Sequence, residues 1–187
     1  QIEGGAPCDL FISASKSNMD QLEENGYIDT ASRKDLLVNT LTLISTVEKK
    51  DAVTMDTLTS SDISIIALGE PETVPAGKYA TQVLDNLGIT EELTEKIVYA
   101  KDVRAVLDYV ETGNADCGFV YRTDALMMDP EKGAIIGDVA GDLHDPIVYP
   151  AAILAETSAG DHAAEFYEFL QSDFAKGVFE KYGFTVK

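Results

Sequence analysis

Strand and helix patterns alternate through the middle of this 187-residue chain, and this alternation limits its fold more than any other feature. Four apolar runs have the length and composition of buried strands: 63–68, 96–100, 116–121 and 134–139. Amphipathic helix patterns at 75–87 and 103–112 separate the first three runs. Because alternating strands and helices form parallel sheets with right-handed crossovers, we predict an α/β fold with a mostly parallel sheet.

The segments on either side of this region predict a second lobe. They comprise strands or β-rich runs at 9–13, 36–46 and 147–155, and helices at 17–25, 160–171 and 173–181. A charged turn, Glu48 to Asp51, marks the first crossing between the lobes. We therefore assign residues 1–46 and 149–187 to a discontinuous, first lobe and residues 47–148 to a second lobe, with a hinge at the two crossings.

The charge of the chain restricts its partners. Its formal net charge is −19, whereas proteins that attract nucleic acid or acidic lipid carry Lys/Arg-rich surfaces, so no nucleic-acid partner is predicted. The same charge opposes an anionic ligand at long range, and recognition of an anion would therefore have to be local. No segment approaches the roughly 20 apolar residues that a membrane-crossing helix needs.

The stretch from Gly69 to Ala80 predicts a helix start directly after a buried strand, with Thr73 as the cap and Pro75 in the first turn. A helix start presents unpaired backbone N–H groups and the positive end of the helix dipole, which together can bind an anion. Gly77 would allow a ligand to approach the main chain. Junctions of this kind also serve packing alone, so the segment by itself leaves both interpretations open.

Two further segments predict similar positions. Residues 101–107 begin a helix after a short strand, and residues 116–125 form a strand that ends in a tyrosine followed by a turn. In open α/β sheets, ligands bind in the crevice at the carboxyl ends of the strands. Three strand ends are therefore predicted to converge on one binding crevice.

Short motifs along the whole chain carry a family resemblance. In chain order they are Ala6-Pro7-Cys8-Asp9-Leu10-Phe11-Ile12-Ser13-Ala14, Asn39-Thr40-Leu41, Val74-Pro75-Ala76-Gly77-Lys78-Tyr79-Ala80, Asp102-Val103-Arg104, Gly118-Phe119-Val120-Tyr121, Pro146-Ile147-Val148-Tyr149-Pro150 and Phe179-Glu180-Lys181-Tyr182-Gly183-Phe184. At these residues the chain resembles the periplasmic molybdate-binding proteins of ABC importers. The resemblance implies a two-lobed α/β fold of the type II periplasmic-binding-protein kind.

The resemblance also implies a binding site. In that family the oxyanion is held by backbone N–H groups and hydroxyls rather than by cationic side chains. Carried over position by position, Ala76 and Val103 would donate backbone N–H groups and Tyr121 its phenolic O–H. No catalytic residue, protein-bound metal ion or cofactor is implied, because the molybdate or tungstate oxyanion is itself the ligand.

The function implied is capture of molybdate or tungstate in a cleft between the lobes and delivery to the membrane permease of an ABC importer. The chain would catalyse no reaction, since a separate ATPase supplies the energy. Its location would be periplasmic or extracellular, either as a free protein or as a membrane-anchored lipoprotein.

The sequence departs from the family at its beginning. Two serines that the family uses early in the chain have no counterpart, because Gln1-Ile2-Glu3 matches the end of a family helix. We therefore expect a first lobe that is incomplete at the N-terminus, with an exposed sheet edge and hydrophobic face. Such a lobe predicts either association with a second copy, for example by exchange of elements, or poor solubility.

Three alternatives remain open from the sequence. The chain could be a receptor for another oxyanion or for a small organic acid. It could instead be the effector-binding domain of a transcription regulator, which should carry a basic helix-turn-helix that is not visible here. An enzyme is the weakest alternative, because no nucleophile-base pair or metal-ligand set is found.

Other residues with reactive side chains favour structural interpretations. His144 lacks the spacing of a metal site and is predicted to be a solvated loop histidine. Cys8 and Cys117 are predicted to be buried, unpaired thiols, since a bridge would pin the two lobes together. Arg104 is assigned to the surface or to a clamp across the lobe.

Overall fold

The computed structural model describes residues 1–186, which form nine strands and seven helices. The strands are β1 Leu10–Ile12, β2 Lys34–Val38, β3 Leu41–Thr46, β4 Ile66–Gly69, β5 Ile97–Ala100, β6 Cys117–Tyr121, β7 Gly133–Asp138, β8 Val148–Ile153 and β9 Thr185–Val186. The helices are α1 Lys16–Glu24, α2 Pro75–Leu87, α3 Thr90–Leu93, α4 Val103–Glu111, α5 Arg122–Ala125, α6 Asp161–Phe169 and α7 Asp173–Lys181. None of the helices in this described part of the chain has the length and apolarity of a membrane span.

The first of two compact units contains Gln1–Asn39 and the chain from Ile147 onward. Its four-stranded sheet has the order β1-β8-β2-β9, and every neighbouring pair is antiparallel. Met19 of α1 is fully buried in one cluster with Ala152, and Tyr167 of α6 is buried in a second cluster with Leu37. The Tyr167 hydroxyl donates to the Ser32 carbonyl oxygen at 2.5 Å, which satisfies its polar end inside this core.

The second unit contains Thr40–Pro146 and has a five-stranded sheet of order β5-β4-β6-β3-β7. β4 is parallel to β5 and β6, whereas β3 is antiparallel to β6 and β7. All five residues of β6 are buried, as expected for a central strand. The predicted mostly parallel sheet is thus a mixed sheet, because β3 enters it from the preceding unit and not through a helical crossover.

The boundary between the units differs from the predicted one. Residues 36–46 were predicted to be one strand run of the first lobe, but the run divides into β2 in the first sheet and β3 in the second sheet. The chain passes from one unit to the other between Asn39 and Thr40 and returns between Pro146 and Ile147. The hinge expected at residues 42–47 and 148–152 therefore falls on the regular strands β3 and β8, except for Val47, which follows β3. An alternating apolar pattern identifies a strand but not the sheet that it joins.

Helix α2 lies very close to the end of β4. A Cβ atom built on Gly77 would lie 1.9 Å from the Gly69 carbonyl oxygen, and one built on Gly69 would lie 2.5 Å from a Val74 methyl group. Neither position has room for a side chain. Gly77 therefore serves the packing of α2 on β4, which replaces the predicted role of admitting a ligand to the main chain.

Substitution of Gly77 by Ala should destabilise the second unit by about 1–3 kcal/mol or more, because the added methyl group overlaps main-chain atoms that cannot move independently. Chemical denaturation would measure this change in unfolding free energy. Gly137→Ala is the matched control, since nothing lies within 4 Å of a Cβ atom built at that position. Equal stability of both variants would contradict the close packing of α2 on β4.

Candidate functional site

Three adjacent parallel strands of the second unit end at the same edge of its sheet. β4 pairs with β5 from Ile66↔Ile97 to Gly69↔Ala100, and β6 lies on the other side of β4. The Glu70 amide donates to the Ala100 carbonyl oxygen at 2.9 Å, which ties together the segments that leave β4 and β5. Helix α2 follows β4, helix α4 follows β5, and Tyr121 is the last residue of β6. The structure thus brings Ala76, Val103 and Tyr121 to this carboxyl edge.

Ala76 lies in the first turn of α2 and is 1% exposed. The N-cap is Val74 rather than the predicted Thr73, whose amide instead donates to the Glu70 carbonyl oxygen in the preceding turn. Valine has no side-chain acceptor, and the Val74 carbonyl oxygen takes up the Gly77 amide at 2.9 Å but not that of Ala76. Pro75 carries no N–H group. The Ala76 N–H group has no acceptor within residues 1–186. The start of α2 therefore offers one buried, unused donor.

The start of α4 is capped differently. The Asp102 carboxylate accepts the Ala105 amide at 2.8 Å. The amides of Val103 and Arg104 have no acceptor in the part of the chain that the structure describes. Two donors are thus available at this helix start, although the Asp102 carboxylate adds a negative charge beside them. The Arg104 guanidinium pairs with Asp108 of the same helix at 3.3 Å, and both side chains are more than half exposed.

Tyr121 is 6% exposed and held by its neighbours on both sides. It lies opposite Leu41 of β3, and the following Arg122 amide donates to the Thr40 carbonyl oxygen at 2.8 Å. The Arg122 guanidinium in turn contacts the Asp138 carboxylate at 3.1 Å. These contacts fix the backbone of Tyr121 at the end of β6.

Two carboxyl groups near the site had no predicted role: Asp102, which was named only within a motif, and Asp124. Asp102 had a detectable signal, because an Asp directly before a helical pattern is a common N-cap. Asp124 lies in α5, three positions after Tyr121, and its carboxyl group receives a long contact of 3.4 Å from the Thr123 hydroxyl. Burial raises the pKa of the Asp124 carboxyl above its usual value, and the Thr123 hydroxyl and the Arg104 charge only partly oppose this effect. No sequence pattern reveals that burial.

His144 is not the solvated loop histidine that was predicted. Its Nδ1 atom lies 2.7 Å from the Asp145 carbonyl oxygen, and its ring packs 5.8 Å from that of Tyr79 on α2. The same loop is tied to α2 by Gln82, whose amide group both donates to the Asp145 carboxylate and accepts the Asp145 amide. Within residues 1–186 no group of three or more His, Cys, Asp or Glu side chains could hold a metal ion.

The two cysteines are free thiols, but only Cys117 is fully buried. Burial, with a smaller effect from the Asp116 carboxylate, raises the pKa of Cys117 to about 12. The thiolate, which is the reactive form, is therefore scarce at neutral pH. Cys8 is partly exposed, contrary to the prediction, and its thiol donates to the Leu10 carbonyl oxygen at 3.3 Å.

The arrangement at the sheet edge suits binding of an anion by neutral donors. Amides at two helix starts share the favourable dipole direction, and neither must break an existing hydrogen bond to donate. The carboxyl edge of a parallel strand group is also where open α/β sheets bind their ligands, so the fold and the donors together define a ligand-binding protein.

Comparison with known proteins defines that class further. The family model for bacterial extracellular solute-binding proteins matches residues 1–185. The Bacillus subtilis protein YvgL, provisionally named an ABC transporter substrate-binding lipoprotein, is 45% identical over 188 residues, which are 100% of this chain and 71% of YvgL. The Escherichia coli molybdate-binding protein ModA is 38% identical over 192 residues, covering 100% of this chain and 74% of ModA.

A solved structure agrees with these relatives. The substrate-binding domain of a Clostridium difficile protein, provisionally named a molybdenum ABC transporter, superposes with a TM-score of 0.86 at 42% identity. The match covers 100% of this chain and 80% of that domain. This chain therefore belongs to the bacterial extracellular solute-binding proteins. The predicted family and α/β fold class are confirmed, and the chain is a transport protein and not an enzyme.

The half-buried Asp124 carboxyl should make stability depend on pH. Because its pKa is raised in the folded protein, the ionised carboxylate is less favourable in the folded than in the unfolded chain. Asp124→Asn should therefore raise the thermal unfolding midpoint at neutral pH. The gain should disappear below about pH 3.9, the ordinary Asp value, where the carboxyl is protonated in both states.

Unfolding midpoints of the wild type and Asp124→Asn, measured across this pH range, would check the expectation. Asp51→Asn, at an exposed position, serves as the control for loss of one negative charge. A gain of the same size from Asp51→Asn would show that the overall charge, rather than burial of Asp124, is responsible.

Proposed function

We propose that this protein captures molybdate or tungstate outside the cytoplasm and delivers the oxyanion to the membrane permease of an ABC importer. The observation that supports the proposal most directly is the group of neutral donors at one sheet edge: the free amides of Ala76 and Val103, with Tyr121 at the end of the neighbouring strand. The names of relatives, among them a molybdate-binding protein at 38% identity, support this choice of ligand.

In the proposed site the oxyanion accepts hydrogen bonds from the Ala76 and Val103 amides and from the Tyr121 hydroxyl. Hydrogen bonds to a charged group contribute about 1.5–3 kcal/mol each, which is more than neutral pairs contribute. The amide of Arg104 is a fourth candidate donor, because it is also free at the start of α4. Ala76 is buried, so water competes poorly for its N–H group.

Neutral donors are consistent with the charge of the chain. A net charge of −19 repels a dianion at a distance, but salt screens this repulsion beyond about 8 Å at physiological ionic strength. At contact, the orientation of the donors determines binding. The protein would act outside the cytoplasm, either free in the periplasm or as a surface lipoprotein, in line with its family and with YvgL.

The family match also weighs against an effector domain of a transcription regulator, since the matched family is extracellular. A receptor for a different oxyanion or for a small organic acid remains the second candidate. Titration with different anions distinguishes these ligands.

Calorimetric titration of the full-length protein should give similar affinities for molybdate and tungstate and a much weaker affinity for sulfate. The first two dianions share charge, tetrahedral shape and nearly the same size, so fixed donors cannot separate them. Sulfate is smaller, and donors set for the larger ions would leave it with long hydrogen bonds. Tighter binding of sulfate or of an organic acid than of molybdate would overturn the proposed ligand.

The contribution of one main-chain donor can be tested at Val103. Asp102 is already extended, with φ −161° and ψ 168°, and so avoids the α region that a following proline disfavours. Val103 is the first residue of α4, where proline is well tolerated. Val103→Pro should therefore keep the fold but remove the N–H group. We expect molybdate affinity to fall by about 1.5–3 kcal/mol, roughly ten- to a hundredfold.

Val103→Ala is the matched control, because it shortens the same side chain but keeps the N–H group. Its molybdate affinity should stay close to that of the wild type, and circular dichroism should show both variants folded. If Val103→Pro is folded and binds molybdate as tightly as Val103→Ala does, the Val103 amide is not a ligand.

A further inference from the structure

The carboxyl group of Asp124 is half-buried and poorly compensated. Within residues 1–186 it forms no ion pair, and the Thr123 hydroxyl approaches it only at 3.4 Å. A charged group removed from water is unfavourable unless it is paired and well hydrogen-bonded. Burial accordingly raises the pKa of this carboxyl above its ordinary value. The chain thus keeps an acidic group at a position where its ionised form is disfavoured.

The helix that carries Asp124 joins two of the segments with proposed donors. Tyr121, the last residue of β6, is the N-cap of α5, and Asp124 is the third residue of that helix. The neighbouring Ala125 is buried in one cluster with Val106 of α4. Val103, the first residue of α4, packs against the same cluster. A change of charge at Asp124 therefore takes place beside the carboxyl edge that holds the proposed donors.

The elements that pack against α5 supply no cation that pairs with Asp124. The helix packs mainly on β3, β6 and α4. β3 has no ionisable side chain, and those of β6 are Cys117 and Tyr121. The ionisable side chains of α4 and its cap are Asp102, Arg104, Asp108, Tyr109 and Glu111. Arg104 is the one cation in that set.

The two arginines of this region contact other carboxylates. The Arg104 guanidinium pairs with Asp108 at 3.3 Å, and Arg122 of α5 itself contacts Asp138 at 3.1 Å. The Arg104 charge lowers the pKa of Asp124, but less than burial raises it. Because both cations are engaged elsewhere, neither offsets an additional negative charge beside Asp124.

An oxyanion held by the Val103 amide and the Tyr121 hydroxyl would bring two negative charges into this region. Like charges that lie close together in a poorly hydrated region oppose each other, and a carboxyl group relieves the repulsion by binding a proton. The Asp102 carboxylate is placed differently, since it is exposed and accepts the Ala105 amide as a helix cap. Asp124 is therefore the acidic group that responds most directly to a bound dianion.

We propose that Asp124 sets the affinity of the site, because its carboxylate opposes the bound dianion and takes up a proton from solvent when molybdate binds. The proton adds to a carboxylate oxygen, and no bond within the anion changes. This inference rests on the proposed function and extends it, since it makes capture of the anion depend on pH.

The direction of the pH dependence follows from linkage. A bound dianion favours the protonated carboxyl, so the pKa of Asp124, already raised by burial, should be higher in the complex than in the free protein. Affinity should be highest where the carboxyl is protonated in both states. It should fall as pH rises through the interval between the two pKa values, which lies above about pH 3.9, the ordinary Asp value. Linkage to one proton limits this fall to about tenfold per pH unit.

Calorimetric titration of the full-length protein with molybdate at several pH values would test the proposal. At each pH, two buffers of different ionisation enthalpy give the number of protons taken up. For the wild type we expect uptake of up to one proton and an affinity at least about threefold lower at about pH 8 than at about pH 5. Protonation of molybdate itself affects every variant equally, so differences between variants report on the protein.

Asp124→Asn keeps the shape of the side chain but cannot ionise. It should lose the proton uptake and, at about pH 8, bind molybdate at least about threefold more tightly than the wild type. Asp51→Asn is the matched control, because it removes one negative charge at an exposed position of the second unit. Its proton uptake and pH profile should match those of the wild type.

Arg104→Gln gives an independent test. It keeps the backbone amide of position 104 but removes the charge that lowers the pKa of Asp124. Whatever its effect on affinity as such, the pH at which affinity falls should therefore move upward. A helix-packing role of Asp124 alone would leave this pH unchanged.

The inference is overturned if the folded wild type and Asp124→Asn bind molybdate with the same affinity and the same proton uptake at every pH. It is also overturned if Asp51→Asn abolishes the proton uptake as Asp124→Asn does. Failure of the wild type to bind molybdate at any pH is a different result, which would overturn the proposed function itself and this inference with it.

Discussion

The contact between the main chains of Gly69 and Gly77 determines the position of the α2 start, and the candidate site depends on that position. A Cβ atom at Gly77 would lie 1.9 Å from the Gly69 carbonyl oxygen, so the first turn of α2 rests directly on the end of β4. This contact holds Ala76 at the carboxyl edge of the sheet. Gly118 serves β6 similarly, since a Cβ atom there would lie 2.8 Å from the Ala67 carbonyl oxygen and 2.9 Å from a Val106 methyl group of α4. Glycines thus set both distances between helix and sheet.

Donor availability follows from how each helix begins. Val74 caps α2 without a side-chain acceptor, whereas Asp102 caps α4 and takes up the Ala105 amide. Both helix starts keep free amides. The negative charge of the Asp102 carboxylate makes the start of α4 less favourable for an anion, whereas Val74 at the start of α2 carries no charge. In the proposed site, the two helices would therefore contribute unequally, with the buried Ala76 amide as the stronger donor.

Local signals predicted several elements well. Pro75 and the αL glycine Gly88 mark the ends of α2, and Ser172 caps α7, so both helices have the predicted bounds. The division of 36–46 between two sheets could not be predicted, because strand periodicity contains no information on pairing partners. At the site, the pattern identified helix starts behind strands but not the packing role of Gly77, the burial of Asp124 or the contacts of His144. The Gly77 contact depends on how α2 folds back onto β4, and the packing of His144 depends on Tyr79, which lies far away in the sequence.

Membership of the family and a shared fold do not by themselves select one anion, since anions of equal charge and shape differ mainly in size. Discrimination by size requires donors whose separations change little. Here the candidate donors follow three strands of one ladder, with Gly69 paired to Ala100 and Ala67 paired to Gly118. A change in donor spacing would have to shear this hydrogen-bonded ladder or separate α2 from Gly69. Any selectivity of the site is therefore a property of the sheet beneath it, because strand pairing positions the two donor amides and the backbone that carries the Tyr121 hydroxyl.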